Sequence, residues 1–408
     1  MSLINSSIRR VACAISGGVD SAVAALLLQR KGFDVIGVFM KNWDAQDEMG
    51  TCLSSWDDFE DAQAICESLG IELVQVSFVK EYWNDVFSSL LEDYENGMTP
   101  NPDIFCNRFI KFGALYSHAM EKIGVEAIAT GHYARTSFGT FLENYRSDKN
   151  VDLLRAVDPI KDQTLFLSQV HQEALRRTMF PLGNLYKHQV RKIALENNML
   201  KVSKKPDSTG ICFIGKRNFK DFISEYIPNH RGPFVDVDTG DTVAYHNGVH
   251  HYTVGERCRI SRQKTKYFVV RRDPSTQAIL VASSVDHPSI YTDCVFTKVP
   301  HWISDPPRLS SSHPFYCLFR FQHSDRSIPC QIFEGCDGLR ILLGAPMRAI
   351  TPGQVAVVSI HFDFRLVVTT SSGKRACCQP FINSLYFWCG QHGLRALVTP
   401  HALGNLVQ

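Results

Sequence analysis

The feature that most constrains this chain is Ser16-Gly17-Gly18-Val19-Asp20-Ser21, lodged between an apolar run, Ile8 to Ile15, and a helical run, Ala22 to Arg30, that Gly32 closes. Two glycines at a strand-to-helix turn let backbone N–H groups point inward without a side-chain clash, and the helix start adds positive dipole. Ser16 and Ser21 can donate further hydrogen bonds to phosphate, and Asp20 could hold a magnesium ion or orient the loop. The string is neither Gly-x-Gly-x-x-Gly nor the Walker pattern, because no Gly-Lys-Ser/Thr follows. A bare Ser-Gly-Gly is often just a tight connection. The full six-residue string after an apolar strand is much more specific.

The surrounding pattern extends this start. Asp34 to Met40 reads as a second strand, Asp57 to Leu69 as a helix ending at Gly70, and Ile71 to Phe78 as a third strand. A short strand, Ala127 to Thr130, runs into Gly131-His132. Such alternation predicts a doubly wound parallel α/β sheet. Ligands in these folds bind beyond the carboxyl ends of the strands, where both glycine-bearing turns fall. Character changes near Pro228: Arg217 to Tyr226 looks helical, and afterwards come short β-rich runs at Tyr267–Arg271, Ile279–Ala282, Tyr316–Phe321 and Val355–Ile360. The expected domains are 1–227, a central β-rich module at 228–295, a barrel-like module at 296–360, and a tail, 361–408, expected to be poorly ordered.

Composition narrows the classes. Lys and Arg total 43 against 41 Asp and Glu, a formal charge of +2. That balance excludes a histone-like polybasic chain but leaves room for a local basic groove. No apolar run approaches the roughly 20 residues that span a bilayer, so no membrane partner is expected. The 13 cysteines include no Cys-x-x-Cys pair, which removes the main support for zinc-ribbon and thioredoxin readings. Most are expected to be buried thiols in a reducing compartment.

Two cysteines stand apart. Thr99-Pro100-Asn101-Pro102-Asp103 is a proline-bounded turn leading into a helix, with Asp103 as a possible N-cap and Cys106 in the first turn, where the dipole favours thiolate. Cys212 lies in Asp207-Ser208-Thr209-Gly210-Ile211-Cys212-Phe213-Ile214-Gly215, with Lys204, Lys205, Lys216 and Arg217 nearby as thiolate-stabilising cations. For an arbitrary cysteine, burial without reactivity is the better reading.

The phosphate string resembles the pyrophosphate loop of the N-type ATP pyrophosphatases. Together with the two cysteine strings, Gly131-His132-Tyr133-Ala134 and Lys161-Asp162-Gln163-Thr164, it resembles the tRNA-specific 2-thiouridylase family in order from about Ile8 to Val358. The resemblance implies ATP bound over Ser16, Gly17, Gly18, Val19, Asp20, Ser21 and Ala22, with Met40 and Gly131 near the adenosine. It implies adenylation of the carbon-2 oxygen of a wobble uridine, and a persulfide on Cys212 received from a sulfur-donor protein. Cys106 would attack the activated base or resolve the persulfide, leaving a Cys106–Cys212 disulfide. Asp103 would be the general acid/base, and Asn101, Pro102 and Asp103 would contact the base. His132, Lys161, Asp162, Gln163, Arg320, Phe321 and Gln354 would contact tRNA. The base must be flipped to reach these groups, which is cheapest in a single-stranded anticodon loop.

Two departures stand out. Glu256, in Gly255-Glu256-Arg257, replaces the family's usual glutamine, and an acid there is unexpected beside RNA. Residues 361–408, with Cys377, Cys378 and Cys389, match nothing familiar in the family. The alternatives are an ammonia-using adenylating synthetase of the same superfamily and a non-catalytic RNA-binding module. Neither needs Cys106 or Cys212. The leader, with Ser2, Ser6, Ser7, Arg9 and Arg10, weakly resembles an organelle transit peptide, so mitochondria are expected, or the cytoplasm for a bacterial chain. A monomer is the simplest assumption.

Overall fold

The computed structural model describes residues 8–43, 53–207, 217–260, 264–323, 327–335, 337–360 and 365–370, with side chains left undescribed at 53–56 and 365–370. Ser2, Ser6 and Ser7, Cys212, and Cys377, Cys378 and Cys389 lie outside the described residues.

The first domain is built on a five-stranded parallel sheet. Its strands are β1 (Arg10–Ala14), β2 (Asp34–Lys41), β3 (Glu72–Ser77), β4 (Ala127–Ala129) and β5 (Thr178–Met179), in the order β3-β2-β1-β4-β5. Every pairing is parallel, as expected from the strand–helix alternation. A sheet covered on both faces takes continuous apolar strands. Accordingly, Val11, Ala12 and Cys13 of β1 are all but inaccessible. Helix α1 (Val19–Arg30) lies in the same core with Ala22 to Ala25 and Leu28 fully buried, and α2 (Leu53–Leu69) contributes Ala62, Ile65 and Cys66. Strand order reverses between β1 and β4, so the turns that follow them open at one switch point.

The remaining chain forms two β sheets. The central one orders its strands Arg257–Cys258, Tyr267–Asp273, Ala278–Ala282, Gly232–Asp236 and Thr242–His246. The last is a seven-stranded antiparallel sheet running from Tyr291–Phe296 at one edge to His301–Trp302 at the other. It continues past residue 360, because Arg365–Thr370 pairs with both Val355–Ile360 and His301–Trp302. Residues 371–408 lie outside the described residues. The helix expected over Arg217–Tyr226 is shorter, Phe219–Ile223, capped by the Asn218 side chain. Glu256 faces Lys220 at 3.2 Å and accepts the Thr253 N–H at 3.0 Å, so its charge is met within the protein.

Both β modules are fastened to the first domain. From the last sheet, Arg320 meets Asp162 at 3.2 Å, Ser304 Oγ donates to Asp152 at 2.8 Å, and His301 Nε2 lies 3.2 Å from the Val170 carbonyl. Val355 and Val357 are buried in the core of the first domain rather than in that of their own sheet. The described thiols fit the expected pattern: Cys13, Cys66, Cys106, Cys258, Cys317 and Cys330 are buried, and burial pushes the Cys66 thiol up to about 11.

Candidate functional site at the sheet switch point

The chain leaves β1 through Ile15 and Ser16, turns at Gly17-Gly18, and enters α1. The Ser16 N–H donates to Ser21 Oγ at 3.1 Å, and Ser21 Oγ donates to the Gly18 carbonyl at 3.1 Å, which ties the turn to the first helical residues. Gly17 has φ +73, and a Cβ there would lie 2.4 Å from the Asp58 carbonyl oxygen of α2. Only glycine fits. Gly131, after β4, packs against the same turn from the other side, since its Cβ would lie 2.8 Å from Asp20 C and Ser21 N. Val19 and Ala22 are buried, and the Ala22 N–H is spent on the Gly18 carbonyl at 3.2 Å. They can therefore shape the turn only from beneath. Met40 is half-buried at the carboxyl end of β2, the end of the sheet from which the glycine turn leaves β1. The start of a 12-residue helix, a glycine turn and the exposed Ser16 hydroxyl make a donor set suited to a polyphosphate, with the buried Ser21 hydroxyl spent on holding the turn.

Asp20 is held from two sides. Lys187 Nζ reaches its two oxygens at 2.8 and 2.7 Å, and Tyr133 Oη donates to it at 2.8 Å. An ammonium on both oxygens and a phenol on one fix the carboxylate's orientation in the turn. Among the described residues no cluster of three or more His, Cys, Asp or Glu could hold a metal. Of the two roles expected for Asp20, these contacts supply the orienting one.

Lys187 opens the helix α3 (Lys187–Glu196), and it also meets Asp207 at 3.0 Å. Asp207 takes further ion pairs from Lys161 at 2.7 Å and Arg191 at 2.6 Å. Burial alone would raise its carboxyl, but hydrogen bonds from Lys161 and Lys187, with their charges, bring it down to about 2. The sign of the pH effect follows. Against an ordinary value of 3.8, the stabilisation from Asp207 is complete above that pH and fades as pH falls toward 2. Acid unfolding followed by tryptophan fluorescence is expected to show less loss between those limits in Asp207→Asn than in wild type.

Lys205, expected to support a thiolate, is committed elsewhere. Its Nζ meets Asp58 and Asp61 at 2.7 Å each and the Gly17 carbonyl at 3.3 Å, bracing the phosphate turn.

The Cys106 segment is built differently from its expected form. Asn101, not Asp103, caps the helix: its side chain accepts the Asp103 N–H at 3.1 Å, with Pro102 in the first position. Cys106 follows Phe105 and is 3 % exposed, beyond the first turn, where the dipole's influence is greatest. Asp103 is solvent-exposed, with protein taking up part of the space around its carboxyl. That enclosure raises its carboxyl, and Lys111 opposes the rise. Lys111 also bears on His132, whose ring burial, first, and this charge, second, keep neutral.

A run of hydrogen bonds joins this helix to the phosphate turn. Asn107 Nδ2 donates to the Phe166 carbonyl at 3.0 Å, and the Phe166 N–H donates to the Gln163 carbonyl at 3.0 Å. Gln163 Oε1 in turn accepts the Tyr133 N–H at 2.9 Å, and Tyr133 reaches Asp20. Gln163 and Lys161 are thus part of the frame behind the site.

Four expected RNA contacts are corrected by burial. His132 sits between Phe112 and Phe180 with Nδ1 2.8 Å from Thr130 Oγ1. Asp162 is 2 % exposed, accepting from Ala156 N at 3.1 Å and from Thr164 Oγ1 at 2.9 Å. Arg320 is 6 % exposed on its ion pair with Asp162, and Phe321 stacks on Phe319 in the core of the last sheet. Strand alternation could not separate an exposed Arg-aromatic pair from a buried one, because the covering domain is distant in sequence. Gln354 is half-buried, with Nε2 donating to the Thr99 carbonyl at 2.6 Å. Lys187 and Asp207 were missed as site residues. Tyr133 lay in a quoted motif, but nothing local in the sequence marks Lys187.

Comparison with known proteins agrees with this architecture. A family model described as tRNA methyl transferase HUP domain matches residues 9–216. Models described as tRNA methyl transferase PRC-barrel domain and aminomethyltransferase beta-barrel domain match residues 220–283 and 292–359. Mitochondrial tRNA-specific 2-thiouridylase 1 of Drosophila melanogaster is 49% identical over 353 residues, covering 86% of this chain and 90% of that protein. The Homo sapiens protein of the same name is 46% identical over 369 residues, covering 86% and 87%. The tRNA-specific 2-thiouridylase MnmA of Alkaliphilus oremlandii is 42% identical over 352 residues, covering 85% and 93%. With identity at this level over nearly the whole of each relative, the chain belongs to the tRNA-specific 2-thiouridylase family.

Proposed function

We propose that the protein thiolates carbon 2 of the wobble uridine of mitochondrial tRNA, splitting ATP to AMP and pyrophosphate. One observation carries the reading: a continuous hydrogen-bonded frame joins the phosphate turn to the helix bearing Cys106, in a chain whose 49%-identical relative is named a mitochondrial 2-thiouridylase. The methyl transferase wording of the matching model finds no support in a turn suited to polyphosphate.

In this proposal the Gly17-Gly18 turn, Ser16 and the α1 N-terminus hold the ATP phosphates, Ser21 keeps the turn in shape from within, and any magnesium is carried on those phosphates. Met40 and Gly131 border the adenosine. Uracil oxygen is a poor leaving group, and linking it to AMP makes its departure easy. The terminal sulfur of a Cys212 persulfide, supplied by a donor protein, attacks carbon 2 as AMP leaves. The Cys106 thiolate then attacks the Cys212 sulfur, forming the Cys106–Cys212 disulfide and releasing 2-thiouridine. Two electrons from a thiol reductant reset the pair. Asp103, with its raised carboxyl, is suited to proton transfer at the base. Asn101, Pro102 and Asp103 present the rigid edge against which the flipped uracil rests. Cys212 is five residues past Asp207.

The test is incubation of the protein with ATP, a persulfide donor and unmodified tRNA, followed by nucleoside mass analysis. One AMP and one pyrophosphate per 2-thiouridine are expected. An aminated product with ammonia would favour the synthetase reading, and tRNA binding without ATP turnover would favour the passive one.

A further inference from the structure

The turn that leads to Asp103 and Cys106 is held by both β modules at once. From the central module, Arg272 Nη2 donates to the Gly97 carbonyl at 2.7 Å and to Thr99 Oγ1 at 2.6 Å. From the last module, the Pro352 carbonyl accepts the Thr99 N–H at 2.8 Å, and Gln354 Nε2 donates to the Thr99 carbonyl at 2.6 Å. Thr99 therefore has its N–H, its carbonyl and its hydroxyl all engaged from outside its own domain, two residues before the helix cap Asn101.

Arg272 is 7 % exposed, and its Nε and Nη1 have no hydrogen-bond partner among the described residues. A charge buried with so few partners gives little net stability, because the desolvation cost is about as large as what its contacts return. Its bonds do something else: they fix where the backbone of Gly97 to Thr99 lies. Asn101, Pro102 and Asp103 follow directly, and Pro100 and Pro102 leave that stretch little freedom to absorb an error.

We infer that Arg272, acting through Thr99, is a positioning residue for the turn that carries Asp103 and Cys106. Its part in the chemistry rests on the thiolation reading above. The central module then does more than offer a surface, since it sets the register of the reacting groups across a domain boundary. A misplacement of about 1 Å at a reacting centre can cost as much as 10²-fold in rate.

The experiment compares wild type with Arg272→Met, Arg272→Lys, Thr99→Val and the Arg272→Met/Thr99→Val double variant. Amide hydrogen exchange over residues 97–107, the kcat for 2-thiouridine, the KM for ATP and thermal unfolding are measured. Arg272→Met is expected to raise exchange in that segment and to lower kcat by about 10²-fold, with the KM for ATP and the unfolding midpoint little changed. Arg272→Lys, which keeps N–H donors on a long stem, should recover part of both effects. Thr99→Val keeps side-chain shape, and in the double variant it should add little to Arg272→Met. Wild-type exchange and kcat in Arg272→Met would overturn the inference. So would a loss that appears equally in ATP affinity and unfolding with no recovery by lysine. If wild type forms no 2-thiouridine, the thiolation reading fails, while the exchange data still decide whether Arg272 holds the turn.

Discussion

Cys212→Ser is expected to yield a protein that folds and binds ATP but forms no 2-thiouridine from a persulfide donor, a fall of at least roughly 10³-fold, comparable to loss of other nucleophiles. The reason is chemical. A serine hydroxyl cannot carry a transferable sulfur, so no residual pathway through that position exists. Cys106→Ser is expected to fall as far in steady state, but to stop at a different place. With Cys212 intact and no resolving thiol, protein recovered after incubation should carry extra sulfur on Cys212 or hold the base in a mixed disulfide, and intact-protein mass spectrometry separates these. Cys106 is 3 % exposed, so serine there buries a hydroxyl in place of a thiol at a cost of about 1–3 kcal/mol, and thermal unfolding of the variant checks that the fold survives it. Full turnover in either serine variant would remove that cysteine from the mechanism.

Asp162→Ala carries the largest expected loss of stability. Its carboxylate, with its side chain 3 % exposed, faces Arg320 at 3.2 Å and Arg155 at 3.5 Å, and it accepts from Ala156 N and Thr164 Oγ1. Removing it leaves the buried Arg320 guanidinium, with the half-buried Arg155 beside it, without its counter-charge, a situation that typically costs about 3–5 kcal/mol. Because Arg320 belongs to the last sheet and Asp162 to the first domain, denaturant unfolding should also become less cooperative, with the last sheet released earlier. Arg320→Met leaves Asp162 its other partners and should cost less. Adding Arg320→Met to Asp162→Ala should return part of the loss, since the most deeply buried uncompensated cation is then gone. An Asp162→Ala protein as stable as wild type would mean the pair contributes nothing across the boundary.

The phosphate turn, the parallel sheet and the Cys106 helix were legible because each is written in contiguous residues. Apolar strand, glycine turn and helical run follow one another without a break from β1 to α1, and backbone sterics allow that string few conformations. β5, with only Thr178 and Met179, left no pattern to read, since two residues make no period. The helix cap went to Asn101 rather than Asp103 because the choice depends on which side chain points back along the chain, and the prolines on either side decide that.

Sequence alone determined the first domain's parallel sheet and the glycine turn at its switch point, and it singled out two of thirteen thiols for the proposed chemistry. Tertiary structure alone decided which charged residues face solvent and which serve as struts. Arg320 and Asp162 looked like RNA contacts and prove to be an internal pair, Lys205 braces the phosphate turn, and Lys187 joins Asp20 to Asp207. The reason is physical: local periodicity reports which face of an element is apolar, whereas the partner of a charge is set by whatever distant segment is folded over it.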